Sequence, residues 1–301
     1  MDSYNQLVNL PMLQERNIVL AMKREDRIHP WVSGNKYRKL KFNLLEAKSQ
    51  GHQTLLTFGG AYSNHIVATA VAGQENGLGT IGIVRGEELK DRWQKNPTLK
   101  KAHEMGMVLE FIPREIYATK HQLAFQEGLE KKFGRFYLLP EGGTNALAIR
   151  GCEEILTPKD VGFDFIATCV GTGGTMAGLV RSSTPGQTVL GFSALKGSFL
   201  EDTVKALVKK GNWHMVNDYH FGGYGKIDRE LVTFINGFKA QTGIPLDPVY
   251  TGKMMYGLLT MIGEGHIAPG SRILAVHTGG LQGIAGMNEK LCKKKLPLLQ
   301  I

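Results

Sequence analysis

The feature of this 301-residue chain that most restricts its fold is a repeated alternation of short apolar runs and amphipathic stretches. Each run is followed by a glycine-rich or polar turn and then by a segment of helical periodicity. The seven runs span residues 54–58, 80–84, 107–113, 135–140, 164–170, 188–195 and 272–277. Strands that alternate with helices form mainly parallel sheets whose faces are covered by those helices. The pattern therefore predicts an α/β fold.

The chain shows no linker between separate halves. Its length is enough for roughly two domains of ordinary size, and a hydrophobic content of 42% is sufficient for a substantial core. No proline-rich or serine-rich tract divides the sequence, and no repeat of solenoid period is present. A second domain is therefore predicted to be intertwined with the first.

Charge and cysteine content argue against several classes of protein. The formal net charge is +9, but basic and acidic residues are mixed, and the one short basic cluster is KLCKKK at 290–295. This distribution favours a solvated surface over a nucleic-acid groove, although a positive field would also attract small anions. The three cysteines, Cys152, Cys169 and Cys292, form no CxxC pair, which argues against a disulfide framework and a zinc site.

No segment of the sequence resembles a membrane anchor or a secretory signal. No apolar run approaches the roughly 20 residues that a spanning helix needs. Residues 1–13 lack a basic segment followed by a long apolar core. We therefore expect a cytoplasmic protein that makes no membrane contact.

A lysine occupies an unusual place in the segment VSGNKYRKLKFNLL at 32–45. At helical spacing, Lys36, Leu40, Leu44 and Ala47 share one face, so an amine begins an otherwise apolar stripe. The ordinary explanation is a lysine at a helix start whose amine reaches outward to solvent. The alternative is a functional amine held in an apolar setting, and this segment alone does not decide between them.

The glycine-rich segment VGTGGTMAG at 170–178 lies between a predicted strand and a helical pattern. Its glycines leave backbone N–H groups free to converge on an anion at a helix N-terminus, and Thr172 and Thr175 can add hydroxyl donors. Met176 stands where the dinucleotide fingerprint has its third glycine, and no P-loop spacing is present. A phosphate cradle and a close helix-to-sheet contact both explain the segment.

Polar residues also follow the predicted strand at 54–58. Ser63, Asn64 and His65 precede the helical run IVATAVAG. Serine and asparagine are common helix caps, so these side chains can simply satisfy backbone donors. Together with the helix N-terminus they can equally hold a carboxylate or phenolate oxygen.

Two further candidates lie near the C-terminal end of the chain. Tyr250 precedes a helix in LDPVYTGKMMYGL, and Thr278 follows a strand in RILAVHTGG. In isolation, a packed aromatic and a turn residue are the simpler interpretations. No HExxH motif, metal-ligand cluster or GxSxG elbow occurs, so metalloprotease and serine hydrolase chemistry have little support.

Taken together and in order, six motifs resemble one enzyme family. The motifs are SGNKYRKL, GGAYSNH, GTGGTMAG, GGYG, DPVYTGK and HTGG, and they extend from about Gly34 to Gly280. They are similar to those of the pyridoxal-phosphate (PLP) enzymes of the D-cysteine desulfhydrase and 1-aminocyclopropane-1-carboxylate deaminase family. The resemblance implies a tryptophan-synthase-β-like fold of two intertwined three-layer α/β/α domains. We expect a large PLP-binding domain of residues 1–48 and 145–301 and a smaller inserted α/β domain of residues 49–144.

The resemblance also implies how the cofactor is held. Lys36 would bond covalently to the cofactor aldehyde, and Lys39 would contact its phosphate. The rest of the phosphate cradle would be Gly171, Thr172, Gly173, Gly174 and Thr175. Asn64 would hold the phenolate oxygen of the ring and Thr278 would face the ring nitrogen. A hydroxyl at that nitrogen does not enforce its protonation, which favours elimination over transamination.

The remaining roles implied by the resemblance concern the substrate. Lys36, once released from the cofactor, would act as the base, and Ser63 would lie beside the substrate carboxylate. Tyr250, and less directly Tyr224, would tune proton transfer. The expected catalytic residues are thus Lys36, Tyr250, Ser63 and Tyr224, and the expected substrate contacts are Ser63, Asn64, His65, Tyr224, Tyr250 and Thr251.

The choice of substrate depends on one position. The ring-opening deaminases of the family have glutamate after the tyrosine that matches Tyr250, whereas this chain has Thr251. Threonine there resembles the desulfhydrases and favours D-cysteine, which would give pyruvate, ammonia and sulfide. The alternative is ring-opening deamination of 1-aminocyclopropane-1-carboxylate to 2-oxobutyrate and ammonia. β-Chloro-D-alanine or another D-amino acid with a leaving group at Cβ also fits.

These expectations define a lyase or deaminase of small amino acids, for which hydrolase is also a possible term because water is consumed. Family resemblance further implies a homodimer. A rival of another class is a non-catalytic binder of a phosphorylated metabolite, in which the same glycine loop binds phosphate and Lys36 is only an ion partner.

Overall fold

The computed structural model describes residues 3–300, and within that range the chain forms two sheets. The strands are β1 (Asn5–Leu7), β2 (Val19–Lys23), β3 (Thr54–Gly59), β4 (Gly79–Arg85), β5 (Met107–Ile112), β6 (Tyr137–Leu138), β7 (Phe165–Val170), β8 (Thr188–Ser193), β9 (Trp213–Val216) and β10 (Arg272–Val276). The larger sheet has the order β1-β2-β10-β7-β8-β9, and the smaller has the order β5-β4-β3-β6. All pairings are parallel except that of β1 with β2.

Twelve α-helices connect these strands within the described residues. They are α1 (Pro11–Glu15), α2 (Asn35–Ser49), α3 (Asn64–Glu75), α4 (Pro97–Glu104), α5 (Arg114–Ala118), α6 (Leu123–Phe133), α7 (Ala146–Glu153), α8 (Gly174–Ser182), α9 (Phe199–Leu207), α10 (Arg229–Thr242), α11 (Thr251–Gly263) and α12 (Ile284–Lys293).

Both faces of each sheet are buried under helices. In β2, Leu20 and Met22 belong to one core cluster, whereas Ala21 belongs to another. Successive strand residues point to opposite faces, so this division means that the larger sheet separates two cores. In the smaller sheet, Leu55 and Leu56 are divided in the same way. The predicted three-layer α/β/α arrangement is therefore present in both sheets.

The chain passes from the larger sheet to the smaller one through α2 and later returns. β1 and β2 precede α2, the strands β3–β6 all form the smaller sheet, and β7–β10 complete the larger one. The intertwined arrangement expected from the sequence is thus observed. The domain boundaries themselves, 1–48 with 145–301 and 49–144, stay a prediction.

Helix α2 is fixed to the rest of the molecule at very short range. A Cβ atom on Gly151 of α7 would lie 1.9 Å from the backbone oxygen of Arg38, so the two helices touch through their backbones. The Arg38 guanidinium donates two hydrogen bonds to the buried carboxylate of Glu25, at 2.8 and 3.0 Å. The first residues of α2 are consequently held in a defined place.

Among residues 3–300, no helix combines the length and apolar character required to cross a membrane. The three cysteines are free, and no cluster of potential metal ligands occurs in the same range.

Candidate active site

The predicted motifs meet at the carboxyl ends of the strands, where parallel sheets bind their ligands. β7 ends directly before the glycine loop 171–173, and α8 begins at Gly174. β10 ends before Thr278, and the backbone carbonyl of Thr278 accepts a hydrogen bond from the Asn35 N–H at 3.3 Å. The start of the lysine helix is therefore joined to the end of β10.

Lys36 lies in the second position of α2 and has no acidic partner within hydrogen-bond range. Its Nζ donates to the neutral amide oxygen of Asn35 at 3.3 Å, and Asn35 in turn donates to the Thr175 hydroxyl at 2.8 Å. Burial lowers the pKa of Lys36, against the opposing influence of Cys152 and Cys169. By surface area the Lys36 side chain is half-buried, and the lowered pKa favours a functional amine over a solvated lysine at a helix start.

Lys39 lies one turn further along α2 and its amine reaches two loops. Nζ donates to the Gly142 carbonyl at 3.0 Å, to the Thr144 hydroxyl at 2.9 Å and to the Thr172 hydroxyl at 3.4 Å. The two threonine hydroxyls are themselves 2.6 Å apart. An ammonium and two hydroxyls therefore converge beside the glycine loop, which is a donor set suited to a phosphate.

The glycine loop opens the N-terminus of α8. Gly173, with φ of 77°, occupies the N-cap position, so its left-handed backbone is a reason for glycine there. A Cβ on Gly174 would lie 2.7 Å from the Thr144 hydroxyl, and a Cβ on Gly171 would lie 3.1 Å from the Tyr250 ring. The first N–H groups of α8 have no intrahelical acceptors. These N–H groups are free to bind an anion, and glycine at 171 and 174 avoids contact with Tyr250 and Thr144 beside them.

The segment from Ser63 to His65 begins α3. The Ser63 hydroxyl accepts a hydrogen bond from the Ile66 N–H at 3.3 Å, so the capping interpretation holds for this residue. Asn64 Oδ1 is buried without a hydrogen-bond partner, and its Nδ2 lies 3.0 Å from the position of a Cβ on Gly280. The unsatisfied amide is a reason to expect a ligand here, because buried polar atoms are normally paired.

His65 is buried and held neutral. Burial, followed by the charges of Lys36 and Lys39, lowers its pKa well below the ordinary value. Although the Pro140 carbonyl acts in the opposite direction, neither ring nitrogen makes a hydrogen bond of normal geometry. Nothing in the structure assigns His65 to the substrate, so that role stays a prediction.

Tyr250 precedes α11 and packs against the glycine loop. Its ring meets that of Tyr224 edge-on, with centroids 6.1 Å apart. Burial, and then the Tyr224 phenol, raise the pKa of Tyr250, so it remains protonated at neutral pH. Tyr224 itself is 52% exposed and lies at the rim. The pair connects the interior of the site to solvent.

Asp247 sets the position of Tyr250. Its buried carboxylate accepts hydrogen bonds from the N–H groups of Val249, Tyr250 and Thr251, at 2.9, 3.1 and 2.7 Å. It also accepts from the Thr251 hydroxyl at 2.9 Å. Such a cap fixes the first turn of α11 and the tyrosine before it.

Thr278 is buried at the end of β10 with a thiol as its neighbour. Its hydroxyl lies 3.0 Å from Cys169 Sγ. Burial raises the pKa of Cys169 to about 12, so the thiol stays neutral. The Thr278 hydroxyl therefore faces no ionised group through this contact.

Most of the residues singled out from the sequence contact another of these residues, either directly or through one intervening residue. Those joined are Lys36, Lys39, Gly171, Thr172, Gly174, Thr175, Tyr250, Tyr224 and Thr251. Asn64 approaches Gly280 and Thr278 contacts the base of α2, whereas Ser63 is placed by its helix cap and Gly173 by its backbone. Sequence reasoning missed Asn35, Thr144, Cys169 and Asp247, although Asn35 and Asp247 lie inside the quoted motifs SGNKYRKL and DPVYTGK.

The Lys39 amine should make the stability of the cofactor-free protein depend on pH. Burial, and next the Lys36 charge, lower its pKa from 10.5 to about 7. Between these two values the unfolded chain binds more protons than the folded one, so stability rises as pH increases. We expect wild type to gain at most about 1.4 kcal/mol per pH unit from this group between pH 7 and 10. In urea unfolding at several pH values, Lys39→Met should show a smaller rise of the unfolding free energy with pH. Equal slopes for both proteins would show that Lys39 is not the cause of the rise.

Comparison with known proteins identifies the family of this chain. Residues 3–279 match the family model described as pyridoxal-phosphate dependent enzyme. A Pyrococcus abyssi protein provisionally named 1-aminocyclopropane-1-carboxylate deaminase is 34% identical, over 92% of this chain and 89% of that protein. The mitochondrial bifunctional D-cysteine desulfhydrase/1-aminocyclopropane-1-carboxylate deaminase of Arabidopsis thaliana is 33% identical, over 92% and 75%. The D-cysteine desulfhydrase of Serratia proteamaculans is 30% identical, over 87% and 86%.

Solved structures lead to the same fold. The crystal structure of an ACC deaminase homologue superposes with a TM-score of 0.82 and 29% identity, covering 97% of this chain and 94% of that one. O-ureido-L-serine synthase shares the fold alone, with a TM-score of 0.71 at 16% identity.

The chain therefore belongs to the pyridoxal-phosphate dependent enzyme family. Within that family its relatives are the proteins named 1-aminocyclopropane-1-carboxylate deaminase and D-cysteine desulfhydrase, and it is a PLP-dependent enzyme. The rival interpretation as a non-catalytic phosphate binder gains no support. The term hydrolase was wrong, because the relatives are named deaminases and desulfhydrases.

The residues present fit PLP. An anion site at the start of α8 with Lys39 beside it suits the phosphate, and a buried amine without an acidic partner suits the aldehyde. The unpaired Asn64 oxygen and amide suit a polar substituent of the ring. Individual residue roles are proposals.

Proposed function

We propose that this enzyme catalyses α,β-elimination on a small D-amino acid, with D-cysteine as the preferred substrate and pyruvate, ammonia and sulfide as products. The observation that carries this choice is the state of Thr251. It is 0% exposed and its hydroxyl both donates to Asp247 Oδ1 and accepts from the Asp247 N–H, at 2.9 Å each. Position 251 therefore supplies no acid to Tyr250.

The nearest carboxylate does not supply that acid either. Every hydrogen bond that the Asp247 carboxylate accepts comes from residues 249–251, and none comes from the Tyr250 phenol. Tyr250 is left with the phenol of Tyr224 as its partner. A single neutral phenol suits protonation of a departing group better than ring opening, in which a carboxylate assists the tyrosine.

The chain's own residues can perform the proton transfers of an elimination. PLP, when bound, withdraws electrons from the substrate Cα and so makes its proton removable. The Lys36 amine, whose pKa burial lowers, accepts that proton. The N-terminus of α3 at Ser63 and Asn64 binds the substrate carboxylate. Tyr250 stays protonated and donates to the leaving sulfur.

Ring-opening deamination of 1-aminocyclopropane-1-carboxylate is the second candidate. It is supported by the names of the Pyrococcus and Arabidopsis relatives. The two candidates share the cofactor, the lysine and the tyrosine, and they differ in the bond that breaks.

A substrate panel separates them. Purified holoenzyme is supplied with D-cysteine, L-cysteine, β-chloro-D-alanine and 1-aminocyclopropane-1-carboxylate, and keto-acid and sulfide release are measured. We expect pyruvate and sulfide from D-cysteine and little 2-oxobutyrate. A larger kcat/KM for the cyclopropane substrate would reverse the assignment.

Replacing Thr251 by glutamate should not create efficient ring opening. The longer side chain has no space at a fully buried position and removes the hydroxyl that binds Asp247. We expect the Thr251→Glu protein to lose about 1–3 kcal/mol of stability and to release 2-oxobutyrate no faster than wild type. Thr251→Ser, which keeps the hydroxyl, is the matched control. Rapid ring opening by the glutamate variant would show that the rest of the pocket already suits that reaction.

A homodimer and a cytoplasmic location remain expectations from family resemblance and from the sequence. Size-exclusion chromatography with light scattering tests the first of them.

A further inference from the structure

An arginine outside the residues discussed so far lies beside the substrate side of the site. Arg85 is the last residue of β4, whose neighbour β3 ends at Gly59. A Cβ atom on Gly60 would lie 3.5 Å from Arg85 Nη2. Gly60 begins the turn that leads into α3, because its carbonyl accepts a hydrogen bond from the Ser63 N–H at 3.0 Å. The guanidinium therefore lies at the near end of the turn that presents Ser63 and Asn64.

The Arg85 side chain also lies close to two tyrosines, Tyr117 and Tyr224. Its Cζ lies 5.6 Å from the centroid of the Tyr117 ring, a contact that orients the guanidinium. Burial raises the pKa of Tyr224, and the positive charge of Arg85 acts in the opposite direction. Arg85 on the smaller sheet is therefore close enough to Tyr224 for its charge to act on that phenol.

This cation has no anionic partner among residues 3–300. Arg85 is exposed, no carboxylate forms a salt bridge with it, and its guanidinium donates no hydrogen bond to a side chain or backbone group within that range. Glu141, whose charge also acts on the pKa of Tyr224, is paired with Lys120 at 3.3 Å. By contrast, Arg114, which begins α5 shortly after the neighbouring strand β5, is paired with Glu88 at 2.6 Å. Other arginines among residues 3–300, such as Arg92 and Arg229, also lack a salt bridge, so Arg85 is distinguished by its place beside the turn that leads into α3.

We propose that Arg85 binds a second negative charge on the substrate, carried by its β-substituent. This inference rests on the proposed function and deepens it, because it extends the substrate class to D-amino acids whose leaving group is anionic. The α-carboxylate already has the N-terminus of α3. The turn 60–63 lies between that helix start and Arg85, so the guanidinium meets a different part of the ligand. Its planar donor set suits a phosphate or sulfonate oxygen.

The chemistry of such a substrate balances without a further reactant. For O-phospho-D-serine, Lys36 takes the Cα proton, and the bond from Cβ to oxygen breaks with its electron pair leaving on the phosphate. One water is consumed afterwards, and the products are pyruvate, ammonia and inorganic phosphate.

The test compares two ligands that differ in charge at the same position. O-phospho-D-serine carries an anionic group at Cβ, and O-acetyl-D-serine carries a neutral one. Binding to the holoenzyme is measured by competition with D-cysteine and by the change in the visible absorption of the bound cofactor. We expect Arg85→Gln to lower the affinity for O-phospho-D-serine, relative to that for O-acetyl-D-serine, by about 10- to 100-fold. Arg85→Lys, which keeps the positive charge, should retain part of the preference for O-phospho-D-serine over O-acetyl-D-serine.

Arg114→Gln is the matched control, because it removes the same charge at the start of α5, which follows the strand next to β4, from a residue that already has a partner. We expect this variant to leave the ratio of the two affinities within about twofold of wild type, since surface charges away from the ligand are screened. An equal loss for both ligands in Arg85→Gln, or no change in their ratio, would overturn the inference.

The spectroscopic measurement keeps this inference separate from the proposed function. If wild type releases no keto acid from any D-amino acid, the proposed elimination fails, yet the two ligands can still be compared by their effect on the cofactor spectrum. If D-cysteine is turned over and the ligand ratio does not respond to Arg85, only the inference about Arg85 fails.

Discussion

Replacing Lys36 by alanine is expected to abolish turnover of every amino-acid substrate, with kcat falling by about 10⁴-fold. The amine is the one basic group at the start of α2 that has a neutral amide as its hydrogen-bond partner, and burial lowers its pKa. The variant should fold normally, because no salt bridge is lost. The visible absorption of the bound cofactor should change at the same time. This change distinguishes loss of the covalent bond to the cofactor from a loss of activity that has another cause.

Lys41→Ala is the matched control for that experiment. Lys41 lies in the same helix, is exposed, and pairs with Glu154 at 2.7 Å. We expect near-normal kcat and an unchanged cofactor spectrum in this variant. If Lys36→Ala kept the wild-type spectrum and more than a tenth of the activity, the assignment of the reactive lysine would be wrong.

Replacing Gly34 by alanine is expected to destabilise the protein by about 3–5 kcal/mol. Gly34 has φ of 61°, and an added Cβ would lie 2.0 Å from the backbone oxygen of Thr278. Because the obstacle is backbone, it cannot move away as a flexible side chain would. The start of α2 would be pushed from the end of β10, and Lys36 would be displaced with it. Urea unfolding and kcat/KM for D-cysteine measure the two consequences.

Gly51→Ala measures the cost of placing alanine at a positive φ without a steric contact. Gly51 also has a positive φ, of 70°, but nothing lies within 4 Å of the added Cβ. We expect a loss of about 1 kcal/mol, from conformation alone, and unchanged activity. Similar losses at both positions would mean that the contact between Gly34 and Thr278 is not tight in solution.

Much of the architecture was predictable because it depends on local pattern. All seven apolar runs form strands, and the alternation with helices correctly indicated parallel sheets. The strands β1, β2 and β9 were not predicted. β1 has three residues and β9 has four, too few to show a period, and β9 lies at a sheet edge. The β2 segment is a short apolar run that sequence alone cannot distinguish from a buried helix.

The site was predictable to the extent that its residues lie inside recognisable motifs. Lys36 and Thr175 were singled out, but Asn35, which links them, looked like part of a helix start. Cys169 was considered only as a possible disulfide or metal residue, because its contact with Thr278 joins positions 109 apart in the sequence. Such pairs depend on strand order, which no local pattern encodes. Arg85 was missed for the same reason.

The order of strands in the larger sheet has a consequence for synthesis of the protein. Residues 19–23 pair with residues 272–276, so β2 has its inner neighbour only when nearly the whole chain has left the ribosome. Contacts between such distant positions form late. Lys36 lies thirteen residues beyond the end of that strand, and its neighbour Asn35 contacts Thr278, so the lysine reaches its final surroundings only after β10 has been synthesised.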